Sequence, residues 1–380
     1  MKKIGIIGAG ISGLFIANLF KKNPKYQVSI FDKKNSLDLN RGYGVQLSVN
    51  SVKLLNKIGF NKLKKDEKFY PEKINFYSKK VQDKICELDI TEFNSNDCKY
   101  TTLKRSTLIN FLKKDLEDLI KTNYSVSKID QEQEKIKLTF ENEETHEFDY
   151  LIISEGVFSK SRNLVSNKQV QPKYNNTLAI RGTIPANSNI IDKKNILLFL
   201  GSDFHHVIYP VSSSEDLNLI AIMKYKLSAE KQKNYSLFSD KSFIQKILEN
   251  IPQENKEFFN NLKELKIFPV FVSDNFFEVK NKNIYLIGDA FFAFPPSFAQ
   301  GASQSIEGAH ELFDSIENNS NANFFKNRVN KTKMVNNRSK LNQFAFHLSN
   351  PLTVYFRNIF LKKLVKNKKF LESYLGKIYR

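Results

Sequence analysis

The chain has 380 residues, of which 41% are hydrophobic, and its formal net charge is +19. This length supports a substantial core, whereas no apolar run approaches the roughly 18 residues typical of a membrane-spanning helix. The N-terminus enters a strand without the apolar region of a signal peptide, so we expect a cytoplasmic protein. The two cysteines, Cys86 and Cys98, lack the spacing of a disulfide framework or a zinc site, and we predict no metal.

The N-terminal residues have the pattern of a β-α-β unit. An apolar strand over 1–7 precedes helically spaced apolar residues over 11–22, and 27–31 has the pattern of a second strand. A helix over 48–58, stopped by Gly59, follows. Strand-like residues over 73–88 then interrupt this first lobe.

The remaining pattern predicts that the first lobe resumes and then gives way to a separate sheet. Residues 103–121 alternate as a helix, 125–148 as hairpin strands and 150–153 as a short apolar strand. Residues 166–272 are mainly β with polar turns, including strands at 195–200, 206–211 and 217–224, and a helix near 243–250. A strand over 283–287, a helix over 301–316 and a mostly helical tail complete the chain.

A GxGxxG motif, Gly8-Ala9-Gly10-Ile11-Ser12-Gly13, lies between the first strand and the first helix. Gly8 permits the tight turn, Gly10 lets the backbone approach a pyrophosphate, and Gly13 lets helix and strand pack closely. The helix N-terminus supplies N–H groups and partial positive charge. Asp32, at the end of the second strand, is placed to accept hydrogen bonds from ribose hydroxyls. The motif predicts a dinucleotide site formed by Gly8, Gly10, Ser12, Gly13 and Asp32.

A second element, far along the chain, favours FAD over NAD. The strand over 283–287 ends in Gly288-Asp289, and the chain then passes through Pro295-Pro296 to a helix that starts at Gly301. A carboxylate at a strand end can bind a sugar-like hydroxyl. A helix N-terminus at Gly301 and Ala302 can hold a phosphate or a negatively polarised ring edge.

Taken in order from residue 4 to about 312, these motifs resemble the FAD-dependent aromatic hydroxylases of the para-hydroxybenzoate, salicylate and ubiquinone-pathway type. The resemblance implies that Gly288 and Asp289 bind the ribityl chain of FAD, and that Pro296 lies beside the flavin ring. It also implies that Arg41, in the loop Arg41-Gly42-Tyr43-Gly44-Val45-Gln46, lies near the FAD phosphates or ribityl chain. Arg105 corresponds to an arginine that contacts the flavin.

The segment Ser154-Glu155-Gly156-Val157-Phe158-Ser159-Lys160-Ser161-Arg162 resembles the family's Asp-Gly fingerprint, which is linked to FAD and NAD(P)H. Glu155 replaces the family's Asp and lengthens the side chain by one methylene. Phe292, Ala299 and Ser303 also differ from the His, Gly and Asn that many members carry at these positions.

The substrate side of the site is predicted from two further stretches. Arg181-Gly182-Thr183-Ile184-Pro185 and the segment from Gly201 to Val211 resemble strands that face the substrate cavity in salicylate-hydroxylase-like members. Of the two histidines, His206 matches better, and a histidine can help to deprotonate a phenol, although a purely structural histidine is the alternative. Arg181 or His206 can instead bind a substrate carboxylate. We therefore predict His206, Pro296 and Arg181 as catalytic residues.

The predicted fold class is mixed α/β. We expect a Rossmann-like FAD-binding domain formed by residues 1–70, 103–165 and 273–320. A mainly-β substrate domain, formed by residues 71–102 and 166–272, is inserted into it. A helical C-terminal region occupies residues 321–380.

The resemblance implies an FAD-dependent monooxygenase in which NAD(P)H reduces the flavin and O2 forms a flavin C4a-hydroperoxide that hydroxylates a phenolic or benzoate-like substrate. One alternative is a membrane-associated hydroxylase of a polyprenylated phenol, as in the ubiquinone pathway. Others are an FAD-dependent prenyl reductase and a non-catalytic flavin-binding protein. A product heavier by one oxygen distinguishes hydroxylation from reduction.

The positive charge is spread over most of the chain, with one concentration in the tail. Over 352–380, Lys and Arg interleave with apolar residues, which is the pattern of an interfacial helix on anionic lipid or of an amphipathic helix packed on the protein body. We therefore keep peripheral membrane contact, on the inner face of the membrane, as one expectation. No nucleic-acid-binding module accompanies the charge, so nucleic acid is not an expected partner. The oligomeric state is left open.

Overall fold

The structure is a computed structural model that describes residues 1–37, 43–78, 82–132, 134–166, 169–185, 192–213, 217–260, 262–280 and 283–379. The strands, in chain order, are β1 Lys2–Ile7, β2 Tyr26–Asp32, β3 Gly44–Leu47, β4 Lys73–Tyr77, β5 Lys84–Asp89, β6 Thr101–Lys104, β7 Ile120–Thr122, β8 Val126–Glu132, β9 Lys135–Phe140, β10 Thr145–Phe148, β11 Tyr150–Ile153, β12 Lys173–Ile184, β13 Ile196–Gly201, β14 Phe204–Pro210, β15 Leu217–Lys224, β16 Lys263–Val272 and β17 Ile284–Leu286. The α-helices are α1 Ile11–Lys21, α2 Val49–Asn56, α3 Arg105–Lys113, α4 Ser161–Leu164, α5 Ala229–Lys233, α6 Lys241–Glu249, α7 Lys256–Asn260, α8 Gly301–Glu317, α9 Phe324–Phe346, α10 Pro351–Leu364, α11 Lys368–Leu371 and α12 Lys377–Tyr379.

A parallel sheet contains the N-terminal strand and has the order β17-β11-β1-β2-β7. β1 lies between β2 and β11, and its apolar residues are buried on both faces of the sheet, such as Ile6 on one face and Ile7 on the other. α1 connects β1 to β2, and most of its residues are buried against the sheet and α8. This arrangement, with helices and strands intermixed, confirms the predicted α/β fold class.

A second sheet of seven strands has the order β16-β12-β15-β14-β13-β4-β5. Successive side chains along each strand point to opposite faces of the sheet, as the two-residue period of a strand requires. On one face, side chains such as Leu197 and Leu219 join α6 and α7 in a separate apolar core. On the other face, Leu198, Val207 and Ile220 line a large cavity.

One predicted helix is shorter in the structure than the sequence pattern suggests. The helix expected over 103–121 is only Arg105–Lys113, and Ile120–Thr122 is instead the edge strand β7, paired in parallel with β2. The β-branched Ile120 pairs with Ile30 in the sheet, whereas a continued helix would pass through residues 113–118, of which only Leu116 is apolar. The strand-like segment over 73–88 is a hairpin of β4 and β5, which pair antiparallel.

The C-terminal region packs on the body of the molecule. α9 and α10 are joined by a short turn in which the Asn350 side chain accepts hydrogen bonds from the backbone N–H groups of Leu352 and Thr353. Beyond α10, Leu371, Ile378 and Tyr379 are buried in the same core cluster as Ile4 of β1. No helix within the described residues is long and apolar enough to cross a bilayer.

Candidate functional site

One large cavity, of about 1080 Å³, lies where the carboxyl ends of the parallel strands meet the seven-stranded sheet and the C-terminal helices. It brings together most of the residues that the sequence predicts. Those that line it are Gly8, Gly10, Ser12, Asp32, Arg105, Arg181, Asp289, Pro296, Gly301 and Ala302. Gly13 and Gly288 lie immediately behind the lining, whereas His206 lies elsewhere. Arg41 is outside the described residues.

The glycines of the first motif have the physical roles that a phosphate-binding turn requires. Gly8 has a φ of +101°, which only glycine adopts without strain, and a Cβ on Gly13 would lie 2.1 Å from the carbonyl oxygen of Gly8. A Cβ on Gly10 would meet no atom within 4 Å, because this residue faces the open cavity. No side chain among the described residues caps α1, so its first N–H groups are available to an anion.

Asp32 is held at the rim of this turn. Its Oδ2 accepts a 2.8 Å hydrogen bond from the Ala9 N–H, and its Oδ1 accepts a 3.0 Å hydrogen bond from the Lys34 N–H. Each carboxylate oxygen has a second lone pair, so both can also accept from a sugar hydroxyl. The backbone hydrogen bonds therefore hold the Asp32 carboxylate in place and leave it able to accept further hydrogen bonds.

The Gly288-Asp289 turn packs directly on the first motif. Gly288 has a φ of +59°, and a Cβ there would lie 2.6 Å from the Ser12 hydroxyl oxygen, so the two elements meet through their smallest residues. Asp289 projects into the cavity. Its carboxyl is accessible from the cavity but surrounded by protein, and this burial raises its pKa to about 6, an effect that the nearby Arg105 opposes.

Two guanidinium groups converge on the same space. Burial lowers the pKa of Arg105, and the charge of Arg181 lowers it further, whereas Asp289 raises it. Burial also lowers the pKa of Arg181, whose guanidinium carbon lies 5.5 Å from the centre of the Tyr43 ring. Two cations beside a single carboxyl favour an anionic ligand in this part of the cavity.

A second uncapped helix N-terminus opens on the cavity at α8. A 3-10 turn at Pro296–Phe298 leads through Ala299 to Gly301, and within the described part of the chain no side chain caps the helix. Ala299 has a φ of +51°, a left-handed conformation that costs an alanine about 1 kcal/mol relative to glycine, which many family members carry there. A Cβ on Gly301 would meet no atom within 4 Å, so the helix end is open to a ligand.

The structure corrects the predicted histidine. Strand alternation in β14 directs His205, Val207 and Tyr209 into the cavity and turns His206 to the opposite face. There the His206 ring stacks on Phe199, with ring centres 4.5 Å apart, and burial lowers its pKa to about 3. Neither of its nitrogens has a hydrogen-bond partner among the described residues. His206 therefore does not face the cavity.

His205, which the sequence reasoning passed over, is the histidine in the cavity. Its Nδ1 lies 2.7 Å from Nε2 of His347, at the end of α9. Burial, together with the neighbouring His347 and His206, holds the pKa of His205 well below its ordinary range, so the ring is neutral. The signal that identifies it is its spacing from Tyr209, because residues four apart on a strand share a face.

Tyr209 belongs to a polar group that sequence reasoning did not single out. It hydrogen-bonds to Gln46 and Asn218, and burial raises its pKa to about 12. The Tyr100 hydroxyl donates a 2.7 Å hydrogen bond to Oε1 of Gln46. Tyr209, Gln46 and Tyr100 all line the cavity beside Arg181.

The substituted residues of the family pattern have structural roles. The Glu155 carboxylate accepts 2.8 and 2.9 Å hydrogen bonds from the Ser159 hydroxyl and the Ser161 N–H, so it organises the turn before α4. Phe292 is buried and stacks on Phe276. Ser303 accepts a 3.0 Å hydrogen bond from the Ser48 N–H, behind the cavity wall.

The residues present fit FAD. Two helix N-termini without side-chain caps are available to the diphosphate, and two carboxylates, Asp32 and Asp289, are placed for sugar and ribityl hydroxyls. The cavity is larger than a small aromatic molecule needs and extends along the apolar face of the seven-stranded sheet. Within the part of the chain that the structure describes, no cluster of three or more His, Cys, Asp or Glu side chains could hold a metal ion.

Comparison with known proteins agrees with this geometry. Residues 1–320 match a protein family described as an FAD binding domain. The chain is 20% identical to 6-hydroxynicotinate 3-monooxygenase of Bordetella bronchiseptica, over 97% of this chain and 98% of that protein. It is 23% identical to salicylate hydroxylase of Pseudomonas putida, over 82% of this chain and 75% of that one.

The fold is also similar to those of solved structures. One is Klebsiella pneumoniae HpxO complexed with FAD and uric acid, with a TM-score of 0.83 and 13% identity, covering 99% of this chain and 96% of that one. Another is a salicylate hydroxylase substrate complex, with a TM-score of 0.78 and 19% identity, covering 100% of this chain and 97% of that one.

Proposed function

Because the chain belongs to the FAD binding domain family, FAD is its cofactor, and we propose that it is a monooxygenase that uses NAD(P)H and O2 to hydroxylate a small aromatic substrate. Bound FAD would supply the redox chemistry, accepting reducing equivalents from NAD(P)H and activating O2. The protein's part is to hold the cofactor, orient the substrate, exclude water and handle the substrate proton.

For the cofactor, we propose that the N-termini of α1 and α8 bind the FAD diphosphate and the flavin edge. Asp32 would accept hydrogen bonds from the ribose hydroxyls and Asp289 from the ribityl chain. Gly10 and Gly301 leave open the space that a side chain would otherwise occupy. This supports close approach of the cofactor to the backbone at both positions.

For the substrate, we propose an aromatic compound with an acidic group. Arg181 is a partly buried cation in the cavity wall, with Tyr209 and Gln46 beside it as hydrogen-bonding groups. Such a group favours binding of a carboxylate or a phenolate. The names of the curated relatives, 6-hydroxynicotinate 3-monooxygenase and salicylate hydroxylase, indicate aromatic substrates of this chemistry for those proteins.

We propose that His205 takes the place originally predicted for His206. A neutral imidazole at the cavity wall can accept a hydrogen bond from a substrate hydroxyl and so increase its phenolate character, and a phenolate is the more reactive nucleophile toward an electrophilic oxygen. His347, 2.7 Å from His205, would orient the ring and share the proton. The single observation that carries the proposed function is the convergence of two helix N-termini, Asp32 and Asp289 on one cavity that Arg181 and His205 also line.

The test begins with the absorbance spectrum of the purified protein, followed by anaerobic NADH or NADPH, with and without a panel of phenols and aromatic carboxylates. We expect flavin bands that bleach faster in the presence of one ligand, and a product that gains one oxygen atom from labelled O2. A colourless protein that cannot take up FAD would contradict the central assignment. Reduction without any oxygenated product across the panel would favour a reductase. Bound FAD that NAD(P)H does not reduce with any ligand of the panel would favour a non-catalytic flavoprotein.

A further inference from the structure

A group of exposed apolar side chains surrounds the opening of the cavity. Among the described residues, six of the twelve large apolar residues with exposed side chains fall within the short stretch 341–360, and they are 49–67% exposed. We call these six residues the mouth patch: Leu341, Phe344, Leu352, Tyr355, Phe356 and Phe360. Isolated exposed apolar residues need no explanation, but a contiguous group marks a binding surface.

The patch is one continuous feature of α9 and α10. Leu341 and Phe344 are three residues apart near the end of α9, and the four members on α10 recur at helical spacing. Leu341, Phe344, Phe356 and Phe360 also line the cavity. These side chains are therefore both solvent-exposed and part of the cavity wall, which places the patch at the mouth.

The patch is held in place by the fold. The buried Arg357 guanidinium donates hydrogen bonds to the Asn358 side-chain oxygen and to the Ala345 carbonyl, which ties α10 to the end of α9. The Asn350 side chain caps α10, and α10 packs against β5. The exposed aromatic rings are thus presented by a preformed helical hairpin.

The surroundings of the patch are strongly cationic. Residues 318–371 contain twelve of the chain's 59 Lys and Arg and none of its 40 Asp and Glu. Five of these lysines, at positions next to the patch, are exposed and form no ion pair with a described carboxylate: Lys340, Lys362, Lys363, Lys366 and Lys369. Exposed aromatic and aliphatic side chains flanked in sequence by unpaired lysines are the composition of a surface that lies on anionic lipid.

We propose that the mouth patch docks on the surface of an anionic bilayer, so that a lipophilic aromatic substrate passes from the lipid into the cavity. The second part rests on the proposed function, since it takes the cavity as the active site. The apolar lining of the cavity, including Phe76, Leu198 and Ile220, suits such a substrate. A second copy of the chain is a poorer occupant, because it would bring two strongly cationic surfaces together.

The test is sedimentation of the FAD-loaded protein with vesicles of phosphatidylcholine alone or of an equal mixture with phosphatidylglycerol. We expect binding to the anionic vesicles that falls with added salt. The double variant Leu352→Asn/Tyr355→Asn alters patch residues outside the cavity lining, and we expect its partition to fall by about tenfold or more. The triple variant Lys362→Gln/Lys363→Gln/Lys366→Gln should reduce binding about a hundredfold.

The matched control is Tyr235→Asn, because Tyr235 is a 60% exposed aromatic residue outside both the patch and the cavity. It should bind vesicles like the unmodified chain. Equal sedimentation of all variants, or no binding to anionic vesicles, would overturn the proposal. So would a patch-dependent dimer, seen by size-exclusion chromatography, without vesicle binding.

The failure of this proposal is separable from that of the proposed function. Hydroxylation of a water-soluble phenol and the flavin spectrum report on the active site alone, and the Leu352→Asn/Tyr355→Asn variant should leave both unchanged. Lipid docking also predicts a lower apparent KM for a lipophilic phenol in anionic vesicles than in neutral ones. That difference should disappear in the double variant.

Discussion

At the residue scale, Asp289 is the side chain whose removal tests the cofactor assignment most directly. Asp289→Ala would remove a charge-assisted hydrogen bond worth about 1.5–3 kcal/mol, so we expect FAD affinity to fall roughly 10- to 100-fold. Asp274→Ala removes an exposed carboxylate outside the cavity and should leave FAD binding unchanged. The measurement is a titration of the flavin-free protein with FAD. A variant that purifies with a full complement of flavin would contradict the assignment.

The two adjacent histidines give a second residue-scale prediction. His205→Gln should slow substrate hydroxylation while leaving FAD binding intact, because it removes the basic ring nitrogens at the cavity wall. His206→Phe should leave activity unchanged, because the ring it replaces stacks among Phe199, Phe258 and other apolar residues away from the cavity. Activity lost in His206→Phe and retained in His205→Gln would reverse the assignment.

His206 also links stability to pH. Its pKa is lowered to about 3 in the folded chain, so between pH 6.5 and 3 the unfolded chain binds more protons and stability falls as the pH falls. From pH 7 to pH 5, this histidine should account for about 2 kcal/mol of lost unfolding free energy. Denaturant unfolding of His206→Phe at both pH values should show a correspondingly smaller loss. An unchanged difference would mean that His206 is less shielded from water than its surroundings indicate.

The choice between these histidines shows where the sequence was sufficient and where it was not. The family pattern located the right strand, and the two-residue period could have selected His205 through its spacing from Tyr209. The glycine motif, Asp32 and Asp289 were recognisable because each role is set by local backbone geometry. The partnership of His205 with His347 was not recognisable, since it joins a strand to a helix more than a hundred residues away.

At the scale of elements, two glycines in the turn from β1 into α1 are expected to differ in effect. Gly10 matters for cofactor binding, whereas Gly13 matters for folding stability as well. Gly10→Ala places its methyl group in open cavity, so we expect a folded protein with greatly reduced FAD affinity. Gly13→Ala places a methyl group 2.1 Å from the Gly8 carbonyl oxygen, so it should also lower the thermal stability of the flavin-free protein. Thermal unfolding and FAD titration of both variants check this. Equal stability of the two would contradict the close packing at Gly13.

The elements that sequence patterns predicted well are those with a strong local signal. β1, α1 and α8 begin within a residue or two of their expected positions, because apolar periodicity and glycines mark them. The helix expected over 103–121 ended early, because the pairing of β7 with β2 depends on a partner that local periodicity does not reveal. For the tail, the sequence left two alternatives open, a helix packed on the protein body and an interfacial helix. The structure has features of both, since the last turns of the tail are buried whereas α10 exposes an apolar face.

At the scale of the whole molecule, the C-terminal residues complete the core that the N-terminal residues begin. Tyr379 is 5% exposed, and its ring lies 5.4 Å from that of Phe93 and 6.0 Å from that of Tyr100, in a cluster that also contains Ile4. It also lines the cavity, as do Leu371 and Leu375. The tail is therefore a wall of the site, a relationship that no local pattern in the sequence indicates.

This closure of the fold predicts a large effect from a substitution near the end of the chain. Tyr379→Ala removes a buried aromatic ring and should lower the free energy of unfolding by about 3–5 kcal/mol. Tyr379→Phe keeps the ring and loses only the hydroxyl that hydrogen-bonds with Tyr100, so we expect a loss of about 1 kcal/mol. Denaturant unfolding of both variants in excess FAD makes the comparison. If Tyr379→Ala unfolds at the same denaturant concentration as the unmodified chain, the tail is not part of the cooperative core, and the cavity wall that it forms would open independently of the rest of the protein.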